Sequence, residues 1–316
     1  MPKHRTIGDA NASRLSHLLT ELAKKISNSV GDLIERATEV PGLMLYRRTA
    51  PTVPNPSTHE PSLLVIAQGR IRVDLGKASY VFGQSRFLLT SLELPVVSQV
   101  VTASEKAPYL AFFLKLEMST VRDILMTEEV HTTENSFGAC GMDIGKTRVE
   151  LVNSCSRMMD LLDDPRDISF FGKLIQREII YRLLQGSQGA RLRAIATFET
   201  KCHRTAKAVA WLRSNYEKPL RVEHLATIAG MSRSTLHHHF RALTAMSPLR
   251  FQKQLRLHAA RQRMLTGELD AASAAFEVGY ESPSQFNREY RRFFGRPPIR
   301  DIKALQGGKV VAITTA

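Results

Sequence analysis

The side chains with the most reactive chemistry are few, and their spacing gives them little to do. His237, His238 and His239 form the densest metal-capable run of the 316-residue chain. On a helix successive side chains fan out by about 100°, so three in a row do not converge on one ion. Cys140, Cys155 and Cys202 show no C-x-x-C spacing, which argues against both a disulfide framework and a zinc knuckle. Cys202 lies between Lys201 and His203-Arg204, cationic neighbours that favour a thiolate. A redox or electrophile sensor therefore stands beside an ordinary linker cysteine as its reading. The stretch 43–116 holds one histidine, His59, and no His-x-His pair, whereas metal-dependent barrel oxygenases and isomerases need clustered His and carboxylate ligands. No catalytic residue, metal site or cofactor emerges.

Positive charge is the chemistry the chain does offer, and it is localised. The net charge is +14; residues 191–316 carry 22 Lys+Arg against 9 Asp+Glu, a balance of +13, and residues 1–190 balance at +1. A near-neutral half joined to a strongly basic half is the footprint of a nucleic-acid-binding domain with a partner domain. Within the basic half one pattern occurs twice. Leu225 to Phe240, LATIAGMSRSTLHHHF, has an alanine four residues before a glycine, a capping serine (Ser232) and two apolar anchors, Leu236 and Phe240. Ala275 to Tyr290, AFEVGYESPSQFNREY, repeats the alanine, glycine, serine (Ser282) and anchors (Phe286, Tyr290), with one extra residue in its turn. Each reads as a helix-turn-helix, and the recurrence makes chance a poor explanation.

The elements that must position these helices follow from periodicity. Leu15, Leu18, Leu19, Leu22 and Ile26 form a helical stripe within residues 1–38, a helix packing on its own domain. From Pro41 the period shortens. Stretches 43–49, 62–68, 70–76, 78–82, 86–91, 95–103 and 108–116 read as seven short strands, in a small barrel or sandwich with room for one small ligand. After Glu117 the pattern is helical again, with an antiparallel helix pair around Pro165 that either covers the barrel or forms a dimer interface. Residues 39–190 thus form one domain and 191–204 a linker. Seven helices follow over 205–303, with helix-turn-helix motifs near 222–243 and 270–293, and 304–316 is a tail. The long helix after Pro248, about 27 Å for eighteen residues, sets the two reading helices near one DNA turn apart. The fold class is α+β in two domains: an N-terminal β-barrel with a helical pair, then an all-α double helix-turn-helix. No apolar run approaches membrane-spanning length. The N-terminus, with early charges and no apolar core, is not a secretory signal, so a cytoplasmic protein is expected.

The repeated motif with its connector, ending in GYESPSQFNREYRRFFGRPP, resembles the C-terminal domain of the AraC/XylS family of transcription regulators over about residues 205–303. PGLMLYRR, SLLVIAQGRIRVDLG and REIIYRLLQGSQGARLRAIA resemble the cupin-like N-terminal domain of one subgroup. The resemblance implies a first domain that senses or dimerises and a second that binds promoter DNA. It implies as partners double-stranded promoter DNA, RNA polymerase and a small-molecule effector whose binding residues are not identified, with a homodimer among the assemblies it admits. It assigns base reading to Arg233, Ser234, His237 and His238 on the first helix, and to Ser284, Gln285, Asn287 and Arg288 on the second. Arg, Asn and Gln can bond bidentately to guanine and adenine edges. Arg241, Arg291, Arg292 and Arg296 become phosphate clamps. His238 stands where the family commonly has arginine, and an imidazole cannot make the same fork, so the second helix is expected to be the stronger reader. Two rival readings are a metal-dependent cupin-type enzyme on a DNA anchor and a non-specific nucleoid binder.

Overall fold

The computed structural model describes residues 7–128, 141–186, 188–197 and 200–310. Cys140 and the tail residues 311–316, both considered above, lie outside them. The chain opens with α1 (Ile7–Val30) and continues through β1 (Glu35–Ala37), β2 (Leu43–Arg48), β3 (Asn55–His59), β4 (Ser62–Gln68) and β5 (Arg70–Leu75). Then come β6 (Ala78–Gly83), β7 (Arg86–Thr90), β8 (Leu94–Thr102), β9 (Tyr109–Lys115), α2 (Met118–Thr127) and β10 (Met142–Lys146). The helix pair is α3 (Val149–Asp160) and α4 (Lys173–Gln185), the latter entered through a π turn at Ile168–Gly172; α5 (Gly189–Ala196) follows. The C-terminal helices are α6 (Lys201–Ser214), α7 (Val222–Ala229), α8 (Arg233–Thr244), α9 (Pro248–Leu265), α10 (Ala271–Glu277), α11 (Pro283–Phe294) and α12 (Pro298–Val310).

The strands form two antiparallel sheets, β1-β2-β9-β4-β7-β10 and β3-β8-β5-β6. The six-stranded sheet is a middle layer, and β4 shows why. Its residues are nearly all buried because alternate side chains enter different cores: Leu63, Val65 and Ala67 face α1, α3 and α4, while Leu64 and Ile66 face the second sheet. Strand β5 is covered on one face only, so Arg70 and Arg72 are exposed while Ile71, Val73 and Leu75 are buried. On the helical side Leu19, Leu22 and Ile26 of α1 pack with Leu151, Cys155 and Met158 of α3 and Ile175, Ile179 and Ile180 of α4.

The expected barrel is not closed: among the described residues no ladder joins the two sheets. Strand β3 gives the physical reason. Pro56 lacks an N–H to donate to a further strand, and its carbonyl accepts from Arg261 Nη1 of the C-terminal domain at 3.3 Å. The edge that would have zipped onto β1 and β2 is held by another part of the chain.

The second sheet does not end in solvent either. Leu94 and Val96 of its strand β8, with Leu92 just before that strand, belong to one contiguous apolar cluster with Val209 and Leu212 of α6, Leu225 of α7, Leu236 and Phe240 of α8, and Phe251 and Leu255 of α9. Polar ties reinforce this contact. Gly141 N donates to Leu243 O at 2.6 Å, and Arg213 of α6 forms an ion pair with the largely buried Glu93. A separate cluster holds Leu257, Ala260 and Met264 of α9 with Ala274, Ala275, Phe286, Tyr290 and Ile302. Helix α9 therefore changes core between Leu255 and Leu257.

Candidate nucleic-acid interface

Both copies of the motif are built by the same local physics. In the first, α7 ends at Gly230 in the left-handed region (φ 59°), and Ser232 Oγ accepts from Thr235 N at 3.2 Å to cap α8. In the second, Gly279 (φ 89°) makes the turn and Ser282 Oγ accepts from Gln285 N at 3.4 Å to cap α11. The turn glycines differ in their surroundings. A Cβ on Gly279 would lie 2.1 Å from Glu217 O, whereas one on Gly230 would meet nothing nearer than Arg204 Nη1 at 3.9 Å. Leu236 and Phe240, and likewise Phe286 and Tyr290, are completely buried, which fixes the opposite faces of α8 and α11 outward.

On α8, Arg233, Ser234, His238 and Arg241 are exposed and His237 is half-buried. Arg233 Nη1 is engaged with Glu223 Oε1 of α7 at 3.1 Å, a surface pair that salt or a phosphate can displace. On α11, Ser284, Asn287, Arg288, Arg291 and Arg292 are exposed, as is Arg296 just beyond. Gln285 is placed differently from its neighbours on this face. It is half-buried, and its Nε2 donates to Glu289 Oε1 at 3.3 Å. Glu289 also accepts from Lys253 Nζ at 2.7 Å and Tyr280 OH at 2.9 Å, so Gln285 is held along the helix flank. Arg288, Arg291, Arg292 and Arg296 have no carboxylate partner among the described residues.

The residues assigned from sequence omit what holds α11 in place. Arg261 of α9 forks onto Asp301 of α12, Nε to Oδ2 at 2.8 Å and Nη2 to Oδ1 at 3.2 Å, and Tyr290 OH donates to Asp301 Oδ2 at 2.7 Å. The guanidinium also lies 4.4 Å from the centre of the Phe294 ring. Burial, reinforced by the hydrogen bond to Asp301, pushes the Tyr290 hydroxyl well above the usual phenol range. Nearby, His258 is wedged against the rings of Phe293 and Phe294 at 5.3 and 5.7 Å; burial depresses its pKa to about 4. Arg300 is a further omission. With Arg291 and Arg296 it lines a notch at Gly295–Pro297, beside the N-terminus of α12, an arrangement suited to a phosphate.

A second feature lies between the halves of the molecule, a cavity of about 920 Å³. Its inner wall carries Tyr46, Leu64, Ile71, Tyr109 and Phe113 from the sheets; its other side carries Phe293, Phe294, Arg292 and Arg296. It opens where the barrel fails to close, between β1–β2 and β3. His59 on this wall is half-buried, and desolvation depresses its pKa to about 4, so it is neutral at pH 7. At the domain junction Cys202 is half-buried, and burial raises its thiol pKa. The thiolate expected from its cationic neighbours is therefore not favoured, because desolvation outweighs the charge of Arg191.

Comparison with known proteins fits this geometry. A model described as the AraC-type transcriptional regulator N-terminus matches residues 39–191, and a helix-turn-helix domain model matches residues 225–303. The HTH-type transcriptional regulator ArgR of Pseudomonas aeruginosa is 24% identical over 157 residues, 50% of this chain and 48% of that protein. The chain spans about half the length of the curated relatives it matches. An apo variant of ToxT from Vibrio cholerae superposes with a TM-score of 0.56 at 11% identity, over 84% of this chain and 98% of that one. Wild-type ToxT with a bound unsaturated fatty acid gives 0.50 at 10% identity, over 82% and 94%. At such identities the likeness speaks for the fold alone. The two family matches, one over the sheet region and one over the paired motifs, follow each other in the order the structure shows, and the chain belongs to the AraC family of transcriptional regulators.

Proposed function

We infer that the protein is a sequence-specific, promoter-binding transcription regulator that answers to a small molecule held in the inter-domain cavity. The observation that carries this is the pair of helix-turn-helix motifs, each presenting an outward polar face in a strongly basic half of the chain. Asn287 and Arg288 read base edges from α11, with Ser284 beside them; Arg233, Ser234, His237 and His238 do so from α8. Arg241, Arg291, Arg292 and Arg296 hold phosphates and set register. RNA polymerase is the partner that such an activity requires.

For the effector, the cavity volume of about 920 Å³ falls in the range of small-ligand sites. Its apolar inner wall and its arginines at the α11 end suit an amphipathic acid, and an unsaturated fatty acid is what the second ToxT structure holds. Among the described residues no three His, Cys, Asp or Glu are placed to hold a metal ion. No described helix is long and apolar enough to cross a membrane.

The test is a footprint of the full-length protein on DNA upstream of its own coding sequence. A protected site is expected to contain two segments about one helical turn apart, and Arg288→Ala should lose it. Protection indifferent to excess competitor DNA of random sequence would support the reading; no protected site at all would refute it.

A further inference from the structure

We propose that an anionic effector in the inter-domain cavity and the DNA backbone compete for the same two side chains, Arg292 and Arg296. This rests on the cavity being the effector site, and adds how its occupancy would reach the DNA.

Arg292 and Arg296 are phosphate clamps by position, and both also line the cavity. On α11, Arg292 lies four residues after Arg288, at the edge of the same exposed stripe. Arg296 follows the helix end at Gly295 and borders both the cavity and the basic notch with Arg291 and Arg300. Neither arginine has an acidic partner among the described residues, so each is available to whichever anion arrives. The other two cavity arginines are committed. Arg261 forks onto Asp301, and Arg48 lies 3.9 Å from Glu35 while donating to the carbonyls of Ile34 and Arg47.

The cavity also sets the polarity of its ligand. The inner end, with Tyr46, Leu64, Ile71, Tyr109 and Phe113, takes an apolar body, and neutral His59 adds no charge there. An acid headgroup is therefore drawn to the α11 end. A carboxylate held by Arg292 and Arg296 removes two cations from the DNA-facing surface, and a phosphate held by them removes the headgroup site. Ligand and DNA then oppose each other without any movement of the domains, and the coupling is reciprocal.

The probe is oleate, with oleyl alcohol as its uncharged control, and the DNA is a duplex selected from a random pool by the full-length protein. Calorimetry reads ligand binding and fluorescence anisotropy reads DNA binding. Saturating oleate should weaken DNA binding of the wild type about tenfold or more, and saturating DNA should weaken oleate binding by the same factor. The log–log salt slope of DNA binding should fall by about 2 with oleate bound, as for loss of two phosphate contacts. The double variant Arg292→Gln/Arg296→Gln should bind both partners more weakly and lose the coupling. Arg241→Gln, outside the cavity, should lose DNA affinity only. Oleate binding with unchanged or tightened DNA affinity would overturn the competition and leave the cavity reading standing. Failure of both oleate and its alcohol to bind would overturn the cavity reading and the proposal together.

Discussion

The two helix-turn-helix motifs share a sequence pattern and differ in what holds them. The first is built into the core of the sheet domain: Leu225, Leu236 and Phe240 share one apolar cluster with Leu94 and Val96 of β8. The second has its own smaller core, pinned by the buried Arg261–Asp301–Tyr290 network, and meets the rest of the chain mainly through α9 and β3. The first is thus anchored by hydrophobic burial, the second by a few directional contacts. The unpaired arginines gather on the second. Equivalent motifs are held unequally: the first is fixed in the core of the sheet domain, and the second carries the unpaired arginines and borders the cavity.

The sharpest way to break this contrast is at Asp301, which is 6% exposed. Asp301→Ala strands the buried Arg261 charge and the Tyr290 hydroxyl, at a cost of about 3–5 kcal/mol. Urea unfolding followed by hydrogen exchange should show α10–α12 losing protection while α6–α8 keep theirs. Uniform loss would erase the distinction between the two cores.

Acid should act on the same core. His258 has a folded pKa of about 4 against 6.5 unfolded, so between those values the unfolded chain binds more protons. Its contribution is complete above pH 6.5 and is lost as pH falls toward 4, a swing of order 3 kcal/mol. Melts at pH 7 and pH 4.5 should diverge less in His258→Phe than in the wild type. The remaining divergence would include His59, which is depressed in the same direction.

The turn glycines give a smaller asymmetry. Gly230→Ala should cost only the strain of a left-handed backbone, about 1–2 kcal/mol. Gly279→Ala adds a clash with Glu217 O and should cost at least about 1 kcal/mol more. Equal shifts in thermal midpoint would show that the second turn relaxes freely.

For recognition, Arg288→Ala should lose about 1–3 kcal/mol of discrimination between the selected duplex and single-base variants. His238→Ala should lose less. Equal losses would mean that α8 reads as strongly as α11.

Much of this architecture was legible because local period carries it. The seven expected strands correspond to β2 and β4–β9, and each of the seven C-terminal helices is present. Strand β3 escaped because NPSTH has neither alternation nor apolar content; its partner β8, some forty residues on, makes it a strand. Strand β10, MDIGK, was hidden likewise, with Gly145 against the Phe87 ring of β7. The open barrel and its cavity depend on long-range pairing, and so does the Arg261–Asp301 contact across forty residues. The contact between Gln285 and Glu289 was within reach of the sequence. Glu289 follows Gln285 by one helical turn, the spacing at which the two side chains meet.

The change of core within α9 has a consequence for how such regulators can be recombined. A graft that exchanges sensory modules at the start of α6 would cut through the apolar contacts joining β8 to α6–α8, exposing both new partners to mismatch. The tolerant crossover point lies inside a continuous helix, between Leu255 and Leu257, where only the second motif and its arginines would change hands. A hybrid joined there should inherit its stability from the sheet donor and the base preference of its second motif from the other parent.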